Sequence, residues 1–278
     1  LLLEYMRQQL KNIIGMPDSV ERARVHIRWN EVPPEFLDLE GPRQILLSME
    51  QPEPGVYEAE LEIIKRRPGR EPLFETGPLS EAELAPYLLY DETLDIQDHK
   101  MLQRVNDIVG RVTEPLEIAK RIYNWLVREM NPETIHEYTV KPASELIRKR
   151  KGDCKHFAVL FAAMARIKGI PTRFVFGQRY IGGSYGYHVW NQIYIDGEWL
   201  DVDPSDLAFF PGALHIQLDT AASYNEKGHI GALLGFRPDP EILETTTGEP
   251  DYSVLEGEVP TEIADTHFQD AFYNFRID

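Results

Sequence analysis

Residues 152–173 read GDCKHFAVLFAAMARIKGIPTR, in which a short polar start leads into an almost uninterrupted apolar run. The segment Phe157–Ala165 is apolar nearly all round, so we predict a helix buried at the centre of the fold. Gly152 allows a tight turn and Asp153 can cap the helix. Cys154 therefore falls in the first helical turn.

Cys154 is the single cysteine of the chain, which excludes an internal disulfide and a zinc site built from cysteines. At the first turn of a helix, the positive end of the helix dipole and the unpaired backbone amides favour the thiolate form of a cysteine. The same amides can receive an oxyanion. From its position alone, Cys154 is either a buried structural cysteine or a nucleophile.

Composition narrows the class of protein and of partner. The 278 residues suffice for about two domains, and 42% hydrophobic with 27% charged residues is typical of a globular protein. The net charge of −17 would repel a phosphate backbone, so we expect no nucleic-acid partner. We expect no membrane span, because a run of about 20 apolar residues is absent. The sequence opens on LLLE without a secretory signal and looks trimmed, which leaves compartment and oligomeric state open.

Changes of pattern divide the chain into four predicted parts. Residues 1–17 form a packing helix, and residues 18–90 form a small, sandwich-like β module with a connector. Residues 91–235 form the core that contains the cysteine, and residues 236–278 form an acidic extension. In this extension the best strand candidate is Asp251–Leu255.

Two alternating segments of the β module carry opposite charge on their outer faces. Residues 22–29 are basic there and residues 57–63 are acidic, through Arg22, Arg24, His26 and Arg28 against Glu58, Glu60 and Glu62. Opposite charges on paired strands attract each other, so we predict that these two strands are neighbours in one sheet.

A hairpin places a histidine beside a carboxylate. Asp196-Gly197 is a two-residue turn signal between two alternating runs. If these residues form the loop, Trp190 faces Asp203, and His188 becomes the diagonal neighbour of Asp203 on the same face. A carboxylate in that place fixes the imidazole tautomer and stabilises its cation, as a thiol–imidazole site requires. Spacing alone does not bring Cys154 to His188.

Two other motifs do not indicate a metal or a phosphate site. His156 lies two positions along the helix from Cys154, so its side chain turns away, which excludes a zinc site built from Cys154, His156, His188 and Asp201. The Gly-rich residues 182–186 lack the lysine and the strand-to-helix setting of a phosphate-binding loop. We predict that they form a mobile flap beside His188.

The order of these blocks resembles the catalytic core of the transglutaminase-like superfamily. The resemblance covers about residues 91–235, and its motifs are IYNW at 122–125, GDC at 152–154, GIPTR at 169–173, HVW at 188–190 and DPS at 203–205. It implies an α+β, papain-like fold in which a cysteine-tipped central helix packs on an antiparallel sheet. It also implies that Cys154 is the nucleophile, His188 the general base and acid, and Asp203 the orienting carboxylate.

The resemblance implies no metal and no cofactor, since no cluster here matches the calcium sites of animal transglutaminases. Some members use an aromatic side chain to help bind the oxyanion. The sequence offers three positions for it, Trp125, Tyr138 and Tyr187.

The activity implied by the resemblance is acyl transfer from a peptide or glutamine amide through a thioester. With water as the acceptor, the enzyme is a cysteine peptidase or amidase; with lysine, it is a protein-glutamine gamma-glutamyltransferase that cross-links proteins. Members outside animals often resemble hydrolases, so we expect a hydrolase with a protein or peptide substrate. The alternative of a different class is a non-catalytic interaction module, since the superfamily includes members that lack the triad.

Overall fold

The structure is a computed structural model that describes residues 14, 16–73, 77–133, 135, 139–225, 238–249 and 254. The predicted helix over residues 1–17 lies outside the described residues, apart from positions 14, 16 and 17.

Five α-helices and ten β-strands are found in the described residues. The helices are α1 (Glu81–Leu84), α2 (His99–Val109), α3 (Pro115–Glu129), α4 (Ala143–Lys149) and α5 (Cys154–Ile167). The strands are β1 (Val20–Asn30), β2 (Gln44–Glu53), β3 (Val56–Ile64), β4 (Asn131–Pro132), β5 (Lys151–Gly152), β6 (Thr172–Ile181), β7 (Ser184–Ile195), β8 (Glu198–Val202), β9 (His215–Ala221) and β10 (Asp239–Thr247). Over the described part of the chain, no helix has both the length and the apolar character that crossing a bilayer requires.

The first sheet has the strand order β10-β1-β3-β2, and its paired strands are antiparallel. The predicted pairing of the basic with the acidic segment is confirmed, because β1 and β3 are neighbours along their whole length. Their outer faces are joined by ion pairs, which link Arg22 to Glu62, Arg24 to Glu60 and Arg28 to Glu58. Their inner faces are apolar and buried. Charge and hydrophobic pattern therefore select the same register.

Strand β10 comes from the acidic extension and completes the first sheet beside β1. The strand predicted at Asp251–Leu255 lies outside the described residues, apart from Val254. Apolar and polar residues alternate only weakly in the segment that forms β10, DPEILETTT. At the edge of the sheet, most of its side chains face solvent. The division of the chain into four parts stays a prediction.

The second sheet has the order β8-β7-β6-β9 and is antiparallel throughout. Helix α5 packs on β6 and β7, and α2, α3 and α4 pack against α5. The side chains from Phe157 to Ala165 are fully buried, as expected for a helix without a polar face. These contacts confirm the α+β fold class with a cysteine-tipped central helix on an antiparallel sheet.

Two-residue turns join β6 to β7 and β7 to β8. Asp196 and Gly197 have φ values of 53° and 88°, and Ile195 then pairs with Glu198, so the predicted register is confirmed. Gly182 and Gly183 have φ values of 56° and 99° and form the other turn. The predicted loop over residues 182–186 is therefore wrong in its extent, because residues 184–186 pair with residues 179–181 as part of β7.

Buried hydrogen bonds join the first sheet to the core. The Arg43 Nη2 group donates to the carbonyl oxygen of Gly212 at 2.6 Å, and the Gln44 Nε2 group donates to that of Gln217 at 2.8 Å. Gly212 itself approaches the chain before β1, since a Cβ there would lie 2.3 Å from the carbonyl oxygen of Pro17. These donors satisfy two buried carbonyl oxygens of the segment that leads into and forms β9.

Gly177 on β6 allows β9 to approach closely. A Cβ at Gly177 would lie 2.0 Å from the carbonyl oxygen of Ile216 and 2.8 Å from the ring of Trp190. The backbone of β9 cannot move aside as easily as the end of a flexible side chain can. We therefore expect Gly177→Ala to lower the free energy of unfolding by about 1–3 kcal/mol, measured by urea denaturation.

The matched control is Gly186→Ala on the neighbouring strand. A Cβ at Gly186 would meet no heavy atom within 4 Å. We expect this variant to stay within about 0.5 kcal/mol of the parent protein. Equal unfolding midpoints for the two alanine variants would contradict the close approach at Gly177.

Candidate active site

Cys154 is the first residue of α5, and its neighbours fix the start of the helix. Asp153 is the N-cap, and its Oδ1 accepts a hydrogen bond from His156 Nδ1 at 2.7 Å. Gly152 is required by the close approach of this ring, since a Cβ at Gly152 would lie 2.4 Å from the Cβ of His156. The His156 side chain is thus engaged in the helix cap.

The negative charge of Asp153, which precedes Cys154, is compensated by neighbouring side chains. Burial opposes ionisation of Asp153, but the hydrogen bond from His156 and the charge of Lys155 outweigh it and lower the pKa of Asp153. Lys155 also forms an ion pair with the Asp153 carboxylate. The pair reduces the repulsion that Asp153 would exert on a thiolate at Cys154.

His188 and Asp203 form the buried pair that the hairpin register predicts. His188 Nε2 lies 2.6 Å from Asp203 Oδ2, and the two residues are 1% and 0% exposed. His188 lies on β7, and Asp203 directly follows β8. Because the neighbouring strands fix both backbones, the imidazole and the carboxylate meet without a flexible loop between them.

The Asp203 carboxylate is saturated with hydrogen bonds. Its Oδ1 accepts from the backbone N–H of Ser205 at 3.0 Å and from the Ser205 hydroxyl at 2.7 Å. Its Oδ2 accepts from His188 and also from His215 Nε2, which lies 3.0 Å away. Burial alone would raise the pKa of Asp203, but the charge and hydrogen bond of His188, the hydrogen bond of His215 and the charge of Arg179 hold it well below its ordinary value. Asp203 is therefore an anion.

His188 is in contact with both partners of the proposed triad. Burial lowers the pKa of His188. The charge and hydrogen bond of Asp203, and then the hydrogen bond and charge of Cys154, outweigh burial and raise this pKa to about 9. Since Nε2 is bonded to Asp203, the nitrogen that faces Cys154 is Nδ1. His188 therefore carries a positive charge at neutral pH, next to the sulfur.

Three further charged residues, Arg179, Asp206 and Asp18, lie near the pair of His188 and Asp203. Arg179 Nη2 lies 2.7 Å from Asp206 Oδ2, and Arg179 Nη1 lies 3.6 Å from Asp203 Oδ2. Asp18, which precedes β1, forms a hydrogen bond with Asp206, and burial and the Asp206 charge raise the pKa of Asp18 well above its ordinary value. Burial lowers the pKa of Arg179, but the charges of Asp206, Asp203 and Asp18 outweigh this effect and raise it. Asp203 thus lies between two cationic groups, Arg179 and His188.

His188 and Asp203 are in contact, as the hairpin register predicts, whereas the positions of Arg179 and His215 beside them were not predicted. The signal for His215 was the alternating run HIQLD at 215–219, which indicates a strand. Its position next to Asp203 could not be read from that run, because β9 is joined to the sheet through β6 and not through the hairpin.

The three aromatic positions proposed for the oxyanion have different surroundings. Tyr187 precedes His188 on β7 and is 36% exposed. Desolvation, then the charges of Tyr224 and Cys154, raise the pKa of its hydroxyl. Trp125 on α3 lies under two guanidinium groups, those of Arg104 and Arg150, each 5.7 Å from the ring centre. Tyr138 lies outside the described residues.

Among the described residues, one group has the composition of a metal site. It consists of His188, Asp203 and His215, whose ligand atoms all lie within 4.8 Å of one another. A shared tetrahedral zinc ion would hold nitrogen and oxygen ligands about 3.3 Å apart. The observed separations of 2.6 Å and 3.0 Å from Asp203 Oδ2 are those of hydrogen bonds. The geometry is that of a hydrogen-bonded cluster.

Comparison with known proteins agrees with the fold and with the order of the motifs. Residues 103–204 match the family model described as the Transglutaminase-like superfamily. The match contains Cys154, His188 and Asp203. It confirms the resemblance to this superfamily for that part of the chain.

Individual proteins extend the comparison. A stretch of 120 residues is 28% identical to the mouse Kyphoscoliosis peptidase, and it covers 36% of this chain but 17% of the mouse protein. A crystal structure of a candidate cysteine protease from Cytophaga hutchinsonii has a TM-score of 0.50 and 16% identity, over 86% of this chain and 94% of that chain. The periplasmic domain of TgpA from Pseudomonas aeruginosa has a TM-score of 0.42 and 13% identity, over 70% of this chain and 85% of that chain. The Cytophaga structure shows a shared fold.

Alkylation of Cys154 tests the charge state of the site, because iodoacetamide can label no other cysteine. We expect labelling well below pH 8.5, the region where an ordinary thiol is mostly protonated, since the His188 cation stabilises a thiolate. As the pH rises through about 9, His188 loses its proton and the rate should change a second time. The measurement is the labelling rate by mass spectrometry as a function of pH.

The control is His188→Gln, which removes the cation. Its labelling should follow a single transition and should need a higher pH than that of the parent protein. If the parent protein showed the same single transition as His188→Gln, the ion pair between Cys154 and His188 would be refuted.

Proposed function

We propose that this protein is a cysteine-dependent hydrolase of amide bonds, a cysteine peptidase or amidase, with Cys154, His188 and Asp203 as its catalytic triad. The observation that carries the proposal is the buried pair of His188 and Asp203 at 2.6 Å, whose imidazole also bonds the side chain at the start of α5. One imidazole thus joins an anion and a thiol, which is the arrangement that nucleophilic catalysis by cysteine requires.

The proposed reaction begins with the Cys154 thiolate and the His188 imidazolium. The sulfur attacks the amide carbonyl carbon, a C–S bond forms, and the carbonyl oxygen becomes an oxyanion. His188 gives its Nδ1 proton to the amide nitrogen, the C–N bond breaks, and the amine leaves a thioester on Cys154. Water then attacks the thioester, His188 takes a proton from the water, and the C–S bond breaks to release the acid and regenerate the ion pair.

The oxyanion has donors at the start of α5. The first turn of a helix offers backbone amides without helical partners and the positive end of the helix dipole, and Cys154 is the first residue of α5. Tyr187, the residue before His188 on β7, is the candidate for a further donor. A tyrosine whose pKa is raised stays protonated, so it can donate a hydrogen bond to the developing negative charge.

Hydrolysis and cross-linking share every step up to the thioester, and they differ in the acceptor. The mouse relative is named a peptidase, which favours water as the acceptor and a protein or peptide as the substrate. A glutamine side chain and a peptide bond present the same carbonyl to the sulfur, so both remain within the proposed substrate class.

Product analysis separates the two outcomes. Glutamine-containing peptides are incubated with the protein and a labelled primary amine, and the products are weighed. We expect cleaved peptide or glutamate without incorporated label, because water resolves the thioester. Incorporated amine would contradict a hydrolase and indicate transamidation, and peptides left intact by every preparation would favour the non-catalytic module. Cys154→Ala is the control for contaminating peptidases.

Substitution of the triad residues should give unequal losses. We expect Cys154→Ala to abolish turnover, since no other thiol can form the thioester. Asp203→Asn keeps the shape but removes the counter-charge of His188, so we expect a loss of about 10²–10⁴-fold in kcat, smaller than that of Cys154→Ala. The measurement is kcat/KM alongside thermal unfolding by circular dichroism.

The matched control is Asp201→Asn on the same hairpin. Asp201 is equally buried, but it bonds Trp190 Nε1 at 2.7 Å and Gln192 Nε2 at 3.1 Å, and it lies outside the triad. We expect the folded Asp201→Asn protein to have the same kcat/KM as the parent protein. Full activity in Cys154→Ala would end the proposal.

A further inference from the structure

Two histidines share one oxygen of the buried carboxylate. Oδ2 of Asp203 lies 2.6 Å from His188 Nε2 and 3.0 Å from His215 Nε2. His215 is the first residue of β9, and its backbone pairs with Arg179 on β6. The carboxylate is therefore held by two different strands, by β7 through His188 and by β9 through His215.

His215 can act only as a donor in this contact. Asp203 is an anion and offers lone pairs alone, so the hydrogen lies on His215 Nε2. The ring is buried, and it makes edge contacts with Trp190 and His188, with ring centres 5.4 Å and 5.6 Å away. Burial is the largest cause that lowers the pKa of His215, to about 4, although the hydrogen bond to Asp203 opposes it. At neutral pH, His215 thus contributes an N–H group without a charge.

We propose that His215 is a positioning residue: its Nε2–H holds Oδ2 of Asp203 in line with His188 and stabilises the Asp203 charge when His188 is neutral. The contribution of His215 to catalysis rests on the proposed function. The contact between His215 and Asp203 is itself independent of any substrate.

His215 matters most when His188 gives its proton away. Asp203 then loses the neighbouring cation, and the remaining donors must stabilise its charge. The titratable and charged groups around the couple are Cys154 from α5, Arg179 from β6, His188 from β7, His215 from β9, and Asp206 and Asp18 behind Arg179. Loss of the His215 donor would destabilise the state with neutral His188 more than the state with cationic His188. The pH at which His188 loses its proton should therefore rise.

The test compares His215→Gln with His215→Asn. The Gln amide nitrogen can occupy the place of Nε2 and still donate to Asp203, whereas the Asn amide nitrogen takes the place of Nδ1 and falls short. We expect His215→Asn to move the upper transition of Cys154 alkylation upward by about half a pH unit or more, and His215→Gln to leave it unchanged. We also expect kcat for amide cleavage to fall about 10-fold in the Asn variant and to recover in the Gln variant.

His26→Gln on the outer face of β1 controls for a histidine-to-glutamine change far from the site, and it should match the parent protein. Unchanged transitions in both variants at His215 would overturn the proposal. An equal shift in both would also overturn it, because the effect would then not depend on the reach of the donor. If the alkylation pattern holds but no variant and no parent protein cleaves amides, the proposed function fails and the positioning of Asp203 stands.

If the His215→Asn variant does not fold, nuclear magnetic resonance of the parent protein tests the role of His215. The ¹⁵N shifts of the His215 ring should report a neutral ring with the hydrogen on Nε2 at neutral pH. A cationic ring, or a hydrogen on Nδ1, would overturn the proposal, since neither fits a neutral Nε2 donor to Asp203.

Discussion

The buried negative charge of Asp203 is the constraint around which the site is arranged. An ionised carboxylate loses its hydration when it is buried, at a cost of several kcal/mol, unless the protein supplies donors and cations in place of water. Here Ser205, His188, His215 and Arg179 supply them, from the residues after β8, from β7, from β9 and from β6. All four strands of the second sheet therefore contribute to one charge, directly or through the adjacent residues.

The sulfur is placed by a different force. Helix α5 has no polar face and lies between the sheet and three other helices, so hydrophobic burial fixes its axis. Its start is fixed by the cap of Asp153 with His156 and by the absence of a side chain at Gly152. Apolar packing and local polar contacts thus bring Cys154 to a histidine whose own position depends on the Asp203 charge.

The sequence predicted the parts of this arrangement that local periodicity controls. The turn at Asp196-Gly197 and the period of two fixed the diagonal relation of His188 and Asp203, and the opposite charges of β1 and β3 fixed their pairing. The meeting of Cys154 with His188 followed from the family resemblance and not from spacing. His215 and β10 were not predicted, because both reach their neighbours through strand pairings between distant segments. The loop predicted at 182–186 was too long, since two glycines suffice for the turn.

The junction between the two layers sets the size of the minimal folding unit. The carbonyl oxygens of Gly212, before β9, and Gln217, on β9, receive buried hydrogen bonds from Arg43, which precedes β2, and from Gln44, the first residue of β2. A fragment limited to the residues that resemble the superfamily would leave these oxygens without their donors and would expose the face on which the first sheet rests. Excision at the family boundary would consequently remove part of the interior and not an appendage.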